Sequence, residues 1–545
     1  MKKNIQEALV SIIKESLKEL NFNDIPSEDL YLDLPRDIRF GDLSSNVALR
    51  LSKVVKKPPV EVATGLLEAI KQNLEKSPLK DYLSQVKVEG AGFINFYFSD
   101  KFFHERLKEV IAKEKGALKM DAGAGKRVLI EFVSANPTGS LSVAHARQAV
   151  VGDSLANILA FLGFEITREY YLNDEGNQIN ILGKSVELRM KELNGEKVEF
   201  PEDHYQGDYI YEIAKEAVNQ KIKTEDLGEF ASDFILDIIK KELDDFGIKF
   251  DNWYSQKELG KSGKIDQALA ELKEKKFIYE QDGAVWFKST EFGDDKDRVV
   301  IKSDGSYTYL APDIAYHEEK YKRGFQRLIN LWGPDHHGYI NRLKASVEAF
   351  GHPAASLSVI IVQLATIFRD GKPVQMSTRK GQYITLREVI EEVGRDAARF
   401  FFVMRRTSAH LDFDLDIAKK QTAENPVYYV QYAHARICSI LRSSPVEIRD
   451  SVDLSVLKEK EEIGLIKKLL QFSYTLDICL STEDPYMLTV YLQELAEAFH
   501  KFYDLHRVLG QEEALTQGRL ALLKATKIII AAGLELLGIS RPEKM

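Results

Sequence analysis

The sequence lacks the features that mark secreted and membrane proteins. Its two cysteines, Cys438 and Cys479, are too few for a disulfide framework or for a cysteine-built zinc site. No apolar run approaches the roughly 18 residues of a membrane span. The amino-terminal segment carries Glu7, Glu15 and Glu19 within its apolar pattern, which is unlike a signal peptide. We therefore expect a cytoplasmic protein in a reducing compartment, with no membrane partner.

Internal repeats, low-complexity tracts and an excess of basic charge are also missing. Lys and Arg number 75 against 84 Asp and Glu, and the net charge of −9 argues against a protein that wraps nucleic acid indiscriminately. Hydrophobic residues make up 44% of the chain, so the chain can bury large cores. At about 150 residues per domain, the length of 545 residues predicts roughly three or four domains.

A first domain of mixed helix and strand is predicted over residues 1–120. Apolar residues recur every three or four positions in 5–20, which indicates a helix, and alternation within 86–97 indicates paired strands. A helix is expected at about 100–113. Between positions 36–57, six basic residues stand against two acidic ones. This basic cluster is either a solvated helix face or a docking site for a polyanion.

Residues 121–390 carry the signals of a doubly wound α/β domain. A buried strand at 127–133 leads through a turn-rich break into a helix at 143–162, and a second strand follows at 165–171. Charged helices over 183–250 are expected to form an insertion. Further strand signals, which we assign to the same divided sheet, lie at 284–287, 299–301, 328–332 and 359–362.

From residue 386 onward the pattern is helical, with no convincing strand. An all-α bundle is therefore predicted over 391–545. The predicted fold class is α/β, with a Rossmann-like doubly wound central domain that carries helical insertions. An α+β amino-terminal domain precedes it, and the helical bundle follows.

The break between the first strand and helix of the central domain is a candidate anion site. Ligands of doubly wound sheets lie beyond the carboxyl ends of the strands. Gly139 lets the backbone turn closely, Ser142 is a suitable helix N-cap, and the amides of the first helical turn can hold a phosphate. His145 lies within reach of the same anion. Taken alone, such a loop is more often structural than functional.

Longer motifs give this loop a context. The string EFVSANPTGSLSVAHARQAVVGDSLANILAFLGFEITREYYLNDEGNQI, residues 131–179, closely resembles the first catalytic segment of arginyl-tRNA synthetases, which holds the class I HIGH sequence. Residues 308–345 resemble the family's arginine- and nucleotide-binding segment, and VQMSTRKGQYITLREVI at 374–390 resembles its KMSKS loop. Residues 408–437 and the closing AAGLELLGISRPEKM resemble the anticodon-binding bundle, and residues 36–63 resemble the amino-terminal domain. Essentially the whole chain is covered.

The resemblance implies a class I arginine–tRNA ligase. Such an enzyme activates L-arginine with ATP to arginyl-adenylate and transfers the arginyl group to the 3′-terminal ribose of tRNA(Arg). The resemblance also implies a monomer that activates arginine only with tRNA bound, and Mg²⁺ that accompanies ATP without a dedicated protein site. A metal site at His336 and His337 is disfavoured, because neighbours on a strand point to opposite sides and no cysteine or third histidine lies near in sequence.

The resemblance assigns two overlapping sets of residues to the nucleotide. The ATP-binding positions that it implies are Pro137, Thr138, Gly139, Ser142, Ala144, His145, Asp335, His336, Met376 and Ser377. Adenylate formation requires donors that neutralise charge on the α-phosphate. The catalytic donors implied are Ser142, His145, Ser377, Arg379 and Lys380.

Arginine calls for acidic acceptors, because a guanidinium group is always charged and offers five donors in fixed geometry. Family members hold this group with Tyr-x-x-x-Asp, which here is Tyr309 and Asp313, and helical spacing places the two on one face. Pro312 predicts that a helix starts there. The other arginine-binding positions implied by the resemblance are Glu131, Ser134 and Asn136.

The resemblance also favours tRNA docking on the basic cluster, where Arg36, Arg39 and Arg50 are the implied contacts. In the bundle, unpaired anticodon bases can stack on or bond to Tyr428, Tyr429, Gln431 and Tyr432. An aromatic stripe on a helix is often core. For Tyr428 and Tyr432, four residues apart, that interpretation stays open.

The chain departs from the family's motifs in both signature loops. Ser142 and Ala144 stand where HIGH has histidine and glycine, and Gln375 stands where KMSKS has its first lysine. These departures motivate a rival interpretation, a degenerate synthetase that binds tRNA without ligating it. A class I relative that acts on another amino acid is a weaker rival, which Tyr309 and Asp313 argue against.

Overall fold

The structure is a computed structural model. It describes residues 2–22, 30, 32–35, 37–113, 118, 120–374, 383–449 and 451–545. Six residues singled out above lie outside the described residues, namely Arg36, Gln375, Met376, Ser377, Arg379 and Lys380. Within the described ranges, no helix combines the length and the apolar character that spanning a bilayer requires.

The amino-terminal region is a small α+β unit. Its elements are α1 (Lys2–Glu19), β1 (Leu43–Ser45), α2 (Val47–Val55), α3 (Pro59–Glu75), β2 (Leu83–Glu89), β3 (Phe93–Phe98) and α4 (Asp100–Lys113). The three strands form an antiparallel sheet in the order β1-β3-β2. The turn between β2 and β3 requires Gly92, whose φ is 114° and where a Cβ would lie 2.9 Å from the Pro59 backbone. The predicted strand pair and the helix at 100–113 are confirmed.

The central region alternates strands and helices. Its elements are β4 (Arg127–Glu131), α5 (Val143–Phe161), β5 (Glu165–Leu172), α6 (Asn177–Leu193), α7 (Tyr209–Gln220), α8 (Leu227–Asp245), β6 (Asn252–Ser255), α9 (Gln256–Lys261), α10 (Lys264–Glu274), β7 (Ile278–Gln281), β8 (Ala284–Phe287), β9 (Arg298–Ile301), α11 (Leu310–Lys322), β10 (Arg327–Trp332), α12 (Ile340–Phe350) and β11 (Leu357–Ile361). Five of these strands form a parallel sheet in the order β11-β10-β4-β5-β6. The order reverses at β4, and β4 lies beside β10 with Glu131 opposite Asn330. The prediction of a doubly wound sheet is confirmed. In such sheets, ligands bind beyond the carboxyl ends of the strands at the point where the strand order reverses, which here is β4.

Two predicted strands of this region do not belong to the parallel sheet to which we assigned them. The segments at 284–287 and 299–301 do form strands, but β7, β8 and β9 make a separate antiparallel sheet. A tight turn with positive φ at Asp282 and Gly283 folds β8 back beside β7. Strands joined by such a short turn must be antiparallel, because parallel neighbours need a long crossover connection. The parallel sheet is completed instead by β6, a four-residue edge strand that is too short and too polar to stand out in the sequence.

The carboxy-terminal region is mainly helical. Its elements are β12 (Ala365–Arg369), β13 (Lys372–Pro373), α13 (Leu386–Val393), α14 (Arg395–Val403), β14 (Leu411–Asp414), α15 (Leu415–Ala418), α16 (Pro426–Ser443), α17 (Lys460–Leu470), α18 (Phe472–Thr482), α19 (Tyr486–Leu505) and α20 (Glu513–Leu536). The expectation of no strand after residue 386 was wrong, because β14 pairs in parallel with β12. The buried Leu411 and Phe413 alternate with two aspartates, a strand pattern of only four residues.

Helix α5 connects the sheet to the rest of the molecule. It is buried along most of its length, as a crossover helix in the middle of a doubly wound domain must be. Gly152 lets it approach β4 closely, because a Cβ there would lie 2.4 Å from the Phe132 ring. The helix therefore begins at a fixed place beyond the end of β4.

Candidate active site

The segment between β4 and α5 turns sharply at the carboxyl edge of the sheet. Strand β4 ends at Glu131, two residues before the predicted end, and Val133 and Ser134 have left-handed φ values of 68° and 41°. Such backbone angles are costly for residues other than glycine, and they cluster at functional sites. Ser142 then precedes α5 in an extended conformation as its N-cap, as predicted.

His145 lies at the start of α5 as a neutral hydrogen-bond donor. Its Nδ1 accepts the backbone N–H of Ser142 at 3.2 Å, so the neutral ring carries its proton on Nε2. Burial lowers the pKa of His145 to about 4, and the ring is therefore uncharged at neutral pH. His145 can donate one N–H to a phosphate oxygen, but it supplies no positive charge of its own.

Asp313 is the acidic group at the start of α11. It is half-buried, and Tyr339 donates a hydrogen bond to its Oδ2 at 2.7 Å. Burial is the main cause that raises the pKa of Asp313 to about 6, while the Tyr339 hydrogen bond opposes the rise and the charge of Glu131 adds to it. The two carboxylates of Asp313 and Glu131 thus repel each other, and a bound cation would relieve that repulsion.

Tyr309 does not contact Asp313 in this structure. It is the N-cap residue of α11, so the predicted helix start near Pro312 is confirmed. The Tyr309 side chain is 84% exposed and projects into solvent. The two residues still lie one helical turn apart, the spacing that lets side chains meet on one face.

Glu131 forms a buried ion pair with a lysine. Its Oε2 lies 2.6 Å from Nζ of Lys320, and its Oε1 accepts a hydrogen bond from the Ser134 hydroxyl at 3.1 Å. Lys320 is fully buried and also donates to Oδ1 of Asn330 at 3.3 Å. A buried ion pair of this kind is costly to break by removing one partner.

A chain of hydrogen bonds continues from this pair to Asp313. The Asn330 amide donates to Nε2 of His317 at 2.8 Å, so Nδ1 of His317 carries the proton and donates to the Asp313 carbonyl at 2.8 Å. Burial holds the pKa of His317 well below its usual range, and the ring is neutral. The network fixes β10 and α11 relative to each other beneath the two carboxylates.

Tyrosine rings form the wall next to this network. Tyr171 lies 4.5 Å from the Tyr316 ring and 6.3 Å from the Tyr254 ring, centre to centre. The Tyr316 hydroxyl donates at 2.7 Å to Glu169, which is fully buried and accepts two hydrogen bonds from Arg323. Aromatic faces beside paired charges suit a flat cationic group.

Among the side chains of the network and the tyrosine wall named above, carboxylates outnumber cations by one. The carboxylates are Glu131, Glu169 and Asp313, and the cations are Lys320 and Arg323. His317 is neutral, as described above. A ligand that brings a single delocalised positive charge would balance this set.

The segment 170–178 fixes the β4–α5 loop from the other side. Asn136 donates to Oε1 of Gln178 at 2.6 Å, and the Tyr170 hydroxyl donates to the Ala135 carbonyl at 2.9 Å. The backbone N–H of Tyr171 donates to the Ser134 hydroxyl oxygen at 3.1 Å. Among the other loop positions, Pro137 is buried, and Thr138, Gly139 and Ala144 are half-buried.

The segment after β10 is exposed. Asp335, His336 and His337 lie in a short 3-10 helix, Pro334–Tyr339, so the assumption that the two histidines are neighbours on a strand was wrong. The Trp332 and His336 rings are 5.9 Å apart. In the part of the chain that the structure describes, no three His, Cys, Asp or Glu side chains converge on a common point.

The residues implied for tRNA binding are spread over two surfaces. Arg39 and Arg50 are exposed on the amino-terminal unit, and Arg39 pairs with Asp37 at 2.6 Å. On α16, the Tyr428 and Tyr432 rings stack 6.1 Å apart and are half-buried. The half-buried Tyr429 contacts the His500 ring.

Gln431 differs from these tyrosines because it is buried. Its amide donates to Oδ2 of Asp396 at 2.8 Å and to the Ser540 carbonyl at 3.0 Å. Its amide nitrogen is therefore occupied by contacts inside the protein. Gln431 thus serves the packing of α16 against the chain's final segment.

Sequence analysis missed the residues that hold the predicted ones in place. Lys320, Asn330 and Tyr339 position Glu131 and Asp313, yet none was singled out. The sequence gives no signal for Lys320, because it stands in the charged half of α11, between Glu319 and Lys322. Its burial could not be inferred without the partner strand.

Comparison with known proteins gives three adjoining family matches. Residues 4–98 match the arginyl tRNA synthetase N terminal domain, residues 106–437 match the catalytic domain of tRNA synthetases class I (R), and residues 430–545 match the DALR anticodon binding domain. The arginine–tRNA ligase of Citrifermentans bemidjiense is 46% identical, with 96% of each chain covered. That of Desulforamulus reducens is 43% identical over 100% of this chain and 99% of its own.

A solved structure has the same fold. The arginyl-tRNA synthetase of Thermus thermophilus superposes with a TM-score of 0.77 over 99% of this chain and 100% of its own, at 22% identity. The family match over residues 106–437 spans the loop, the carboxylates and the tyrosine wall described above. The chain therefore belongs to the arginyl-tRNA synthetase family of class I aminoacyl-tRNA synthetases.

Proposed function

We propose that the arginine that this enzyme ligates to tRNA(Arg) binds beside Glu131 and Asp313, in a space that we call the hollow. Arginine–tRNA ligation and the use of ATP follow from membership of the family. The reaction has two steps: the arginine carboxylate attacks the α-phosphate of ATP and releases pyrophosphate, and a 3′-terminal ribose hydroxyl of tRNA then attacks the arginyl-adenylate and releases AMP. We propose a role for each site residue below.

The guanidinium group suits the charge of the hollow. It offers donors in a planar fork, and carboxylates are its natural acceptors. Asp313 supplies one carboxylate, and Glu131, which is paired with Lys320, supplies the second. Tyr309, one helical turn before Asp313, can reach the same group after a change of rotamer. Ser134 and Asn136 place an acceptor and an amide near the arginine backbone.

The nucleotide site uses the β4–α5 loop and the start of α5. The amides of the first turn of α5 and the dipole of that helix attract phosphate. The Nε2–H of His145 donates to the α-phosphate as charge builds up on it during attack, which is when a fixed donor accelerates the step most. Ser142 supplies a hydroxyl where the family motif has an imidazole. We propose that the same nucleotide is also contacted by Pro137, Thr138, Gly139, Ala144, Asp335, His336 and Met376. Arg379 and Lys380 would supply positive charge, and Ser377 would supply a hydroxyl.

Magnesium enters with the triphosphate. Mg²⁺ keeps several waters and binds mainly to phosphate oxygens in nucleotide enzymes. The described residues offer no convergent set of metal ligands, so we assign no protein ligand to the ion and no step through it. When bound, it neutralises charge on the leaving pyrophosphate.

The tRNA contacts follow the division of the chain. We propose an amino-terminal tRNA-binding domain at 1–120, a catalytic domain at 121–390 with its insertion near 183–250, and an anticodon-binding domain at 391–545. Basic side chains such as Arg36, Arg39 and Arg50 would meet the backbone of tRNA, and the tyrosines of α16 would meet unpaired bases. We further propose a cytoplasmic monomer that activates arginine only with tRNA bound.

The observation that carries the proposal is the pair of neighbouring acidic groups, Asp313 and Glu131, of which Glu131 ends the strand that leads into the β4–α5 loop. Charging of tRNA(Arg) with radiolabelled arginine tests it. The degenerate-synthetase alternative rests on Ser142, Ala144 and Gln375, and tRNA-dependent ATP–pyrophosphate exchange distinguishes the two. Exchange that depends on arginine supports the ligase. Intact tRNA binding without exchange supports the alternative.

A further inference from the structure

Two tyrosine hydroxyls donate hydrogen bonds to the β4–α5 loop, on either side of Gly139. We call this loop the nucleotide loop, because we propose that it binds ATP. Tyr209 donates to the Thr138 carbonyl at 2.7 Å, and Tyr383 donates to the Ser140 carbonyl at 2.9 Å. Both rings therefore converge on Gly139, the residue between the two acceptors. Burial raises the pKa of each tyrosine, so both hydroxyls keep the proton that they donate.

Gly139 lies close to both hydroxyls. A Cβ built on it would lie 3.3 Å from the Tyr383 hydroxyl and 3.4 Å from that of Tyr209. A side chain at position 139 would therefore be in tight contact with Tyr383 and in contact with Tyr209. Glycine leaves both hydroxyls free to reach the neighbouring carbonyls, and its φ is not in the left-handed region.

The two tyrosines come from segments outside the nucleotide loop. Tyr209 is the first residue of α7, in the insertion. Tyr383 is the residue at which the described chain resumes after position 374. The chain after Tyr383 is fastened to the loop as well, because the Leu386 N–H donates to the Leu141 carbonyl at 2.8 Å. The insertion and the chain entering α13 thus hold the loop between them.

The effect of the hydroxyls on the loop is electrostatic as well as steric. Backbone carbonyl oxygens carry partial negative charge, and a free carbonyl that faces a triphosphate would repel it. A hydroxyl that donates to such an oxygen both satisfies it and fixes its direction. We propose that Tyr209 and Tyr383 are positioning residues for adenylate formation, which hold the Thr138 and Ser140 carbonyls so that the donors of the loop and of His145 meet the phosphates. The proposal rests on the proposed function, since it assigns the loop to ATP.

Phenylalanine variants test the proposal, because each removes one hydroxyl and keeps the ring. In Tyr209→Phe and Tyr383→Phe, kcat/KM for ATP in arginine-dependent exchange should fall about tenfold, and the KM for arginine should stay within about twofold, because one hydrogen bond on the loop is lost and the arginine hollow is untouched. The double variant should lose less than the product of the two single effects, because both hydroxyls act on one loop.

A matched control lies on the same helix. Tyr211 is two residues after Tyr209 in α7, and its hydroxyl donates to Glu192 at 2.7 Å, away from the loop. The same hydroxyl accepts a hydrogen bond from Arg189 at 2.8 Å. Tyr211→Phe therefore removes at least as many hydrogen bonds as the other two variants and should leave kcat/KM for ATP unchanged. Equal losses in Tyr211→Phe, Tyr209→Phe and Tyr383→Phe would show a general effect on the fold and would overturn the proposal. So would single variants that keep kcat/KM for ATP within twofold of the original chain.

Nucleotide affinity separates this proposal from the proposed function. The dissociation constant of a non-hydrolysable ATP analogue, measured by calorimetry, does not depend on ligase activity. If the original chain charged no tRNA, the proposed function would fall, and a weaker analogue affinity in both phenylalanine variants would still support the role of the hydroxyls. Unchanged affinity in both would overturn it.

Discussion

Tyr339 donates its hydroxyl to Oδ2 of Asp313 at 2.7 Å, across a separation of 26 residues in the chain. This contact joins the short helix after β10 to the first turn of α11. It stabilises the ionised form of an aspartate whose pKa burial would otherwise raise further. The charge that we propose as the partner of arginine is therefore stabilised by a residue from a different element.

The pH dependence of arginine use follows from this balance. The raised pKa of Asp313, about 6, means that the carboxylate is lost as the pH falls through that value. Because guanidinium stays protonated throughout, kcat/KM for arginine should fall close to tenfold per pH unit below about 6 and level off above about 7. Initial rates between pH 5 and pH 8 measure it. A profile that is flat down to pH 5 would show that Asp313 does not bind arginine as its carboxylate.

Removal of the Tyr339 hydroxyl should shift that profile. In Tyr339→Phe the carboxylate loses a donor, so the pKa of Asp313 rises and the acidic limb moves to higher pH. At neutral pH we expect the KM for arginine to rise about tenfold, the cost of one hydrogen bond to a charged group. Comparison with Tyr321→Phe, whose hydroxyl bonds Ser356 away from the hollow, controls for loss of a tyrosine hydroxyl in general. An unchanged acidic limb would argue against the coupling.

Removing one partner of the buried Lys320–Glu131 ion pair should destabilise the protein. Lys320→Met leaves a carboxylate without its cation in the interior, and we expect a loss of about 3–5 kcal/mol in the free energy of unfolding. Adding Glu131→Gln should restore much of that stability, while arginine activation stays impaired because one acceptor of the guanidinium is gone. Denaturant unfolding with exchange assays measures both. If Lys320→Met unfolded at the same denaturant concentration as the original chain, the ion pair would not contribute to stability.

Much of the fold could be predicted from the sequence, because long periodic segments report their own structure. The strand at 127–131 and helix α5 were visible for that reason. Strands β6 and β14 were not, because four residues with mixed polarity fit a loop equally well. The assignment of β7, β8 and β9 to a second sheet depends on pairing, which a linear pattern does not contain.

The site divides in the same way. Asp313 and Glu131 could be singled out from the sequence because they stand within motifs that resemble a family, and their role in binding arginine stays a prediction. Lys320 could not, since its partner Glu131 lies 189 residues away and the contact exists only after the sheet has formed. Tyr309 is the opposite case. The motif identifies its position in the sequence, but only the structure shows that its side chain is exposed.

His145 should matter as a neutral donor. His145→Ala should slow adenylate formation by about 10²-fold, the usual effect of losing one donor to the transition state. Because the pKa of His145 is lowered to about 4, its contribution should show no titration between pH 6 and 8. Single-turnover measurements with saturating tRNA isolate the step. An unchanged rate in the variant would remove His145 from the mechanism.

The most direct test is the arginine dependence of tRNA-supported ATP–pyrophosphate exchange in Asp313→Asn. The neutral amide fills the same space and removes a charge that burial disfavours, so the variant should fold at least as well as the original chain at pH 7.5. The account predicts that its KM for arginine rises at least about 100-fold while its affinity for ATP is unchanged, since a charged partner of the guanidinium is lost. A folded Asp313→Asn variant with the original KM for arginine would contradict the proposed site.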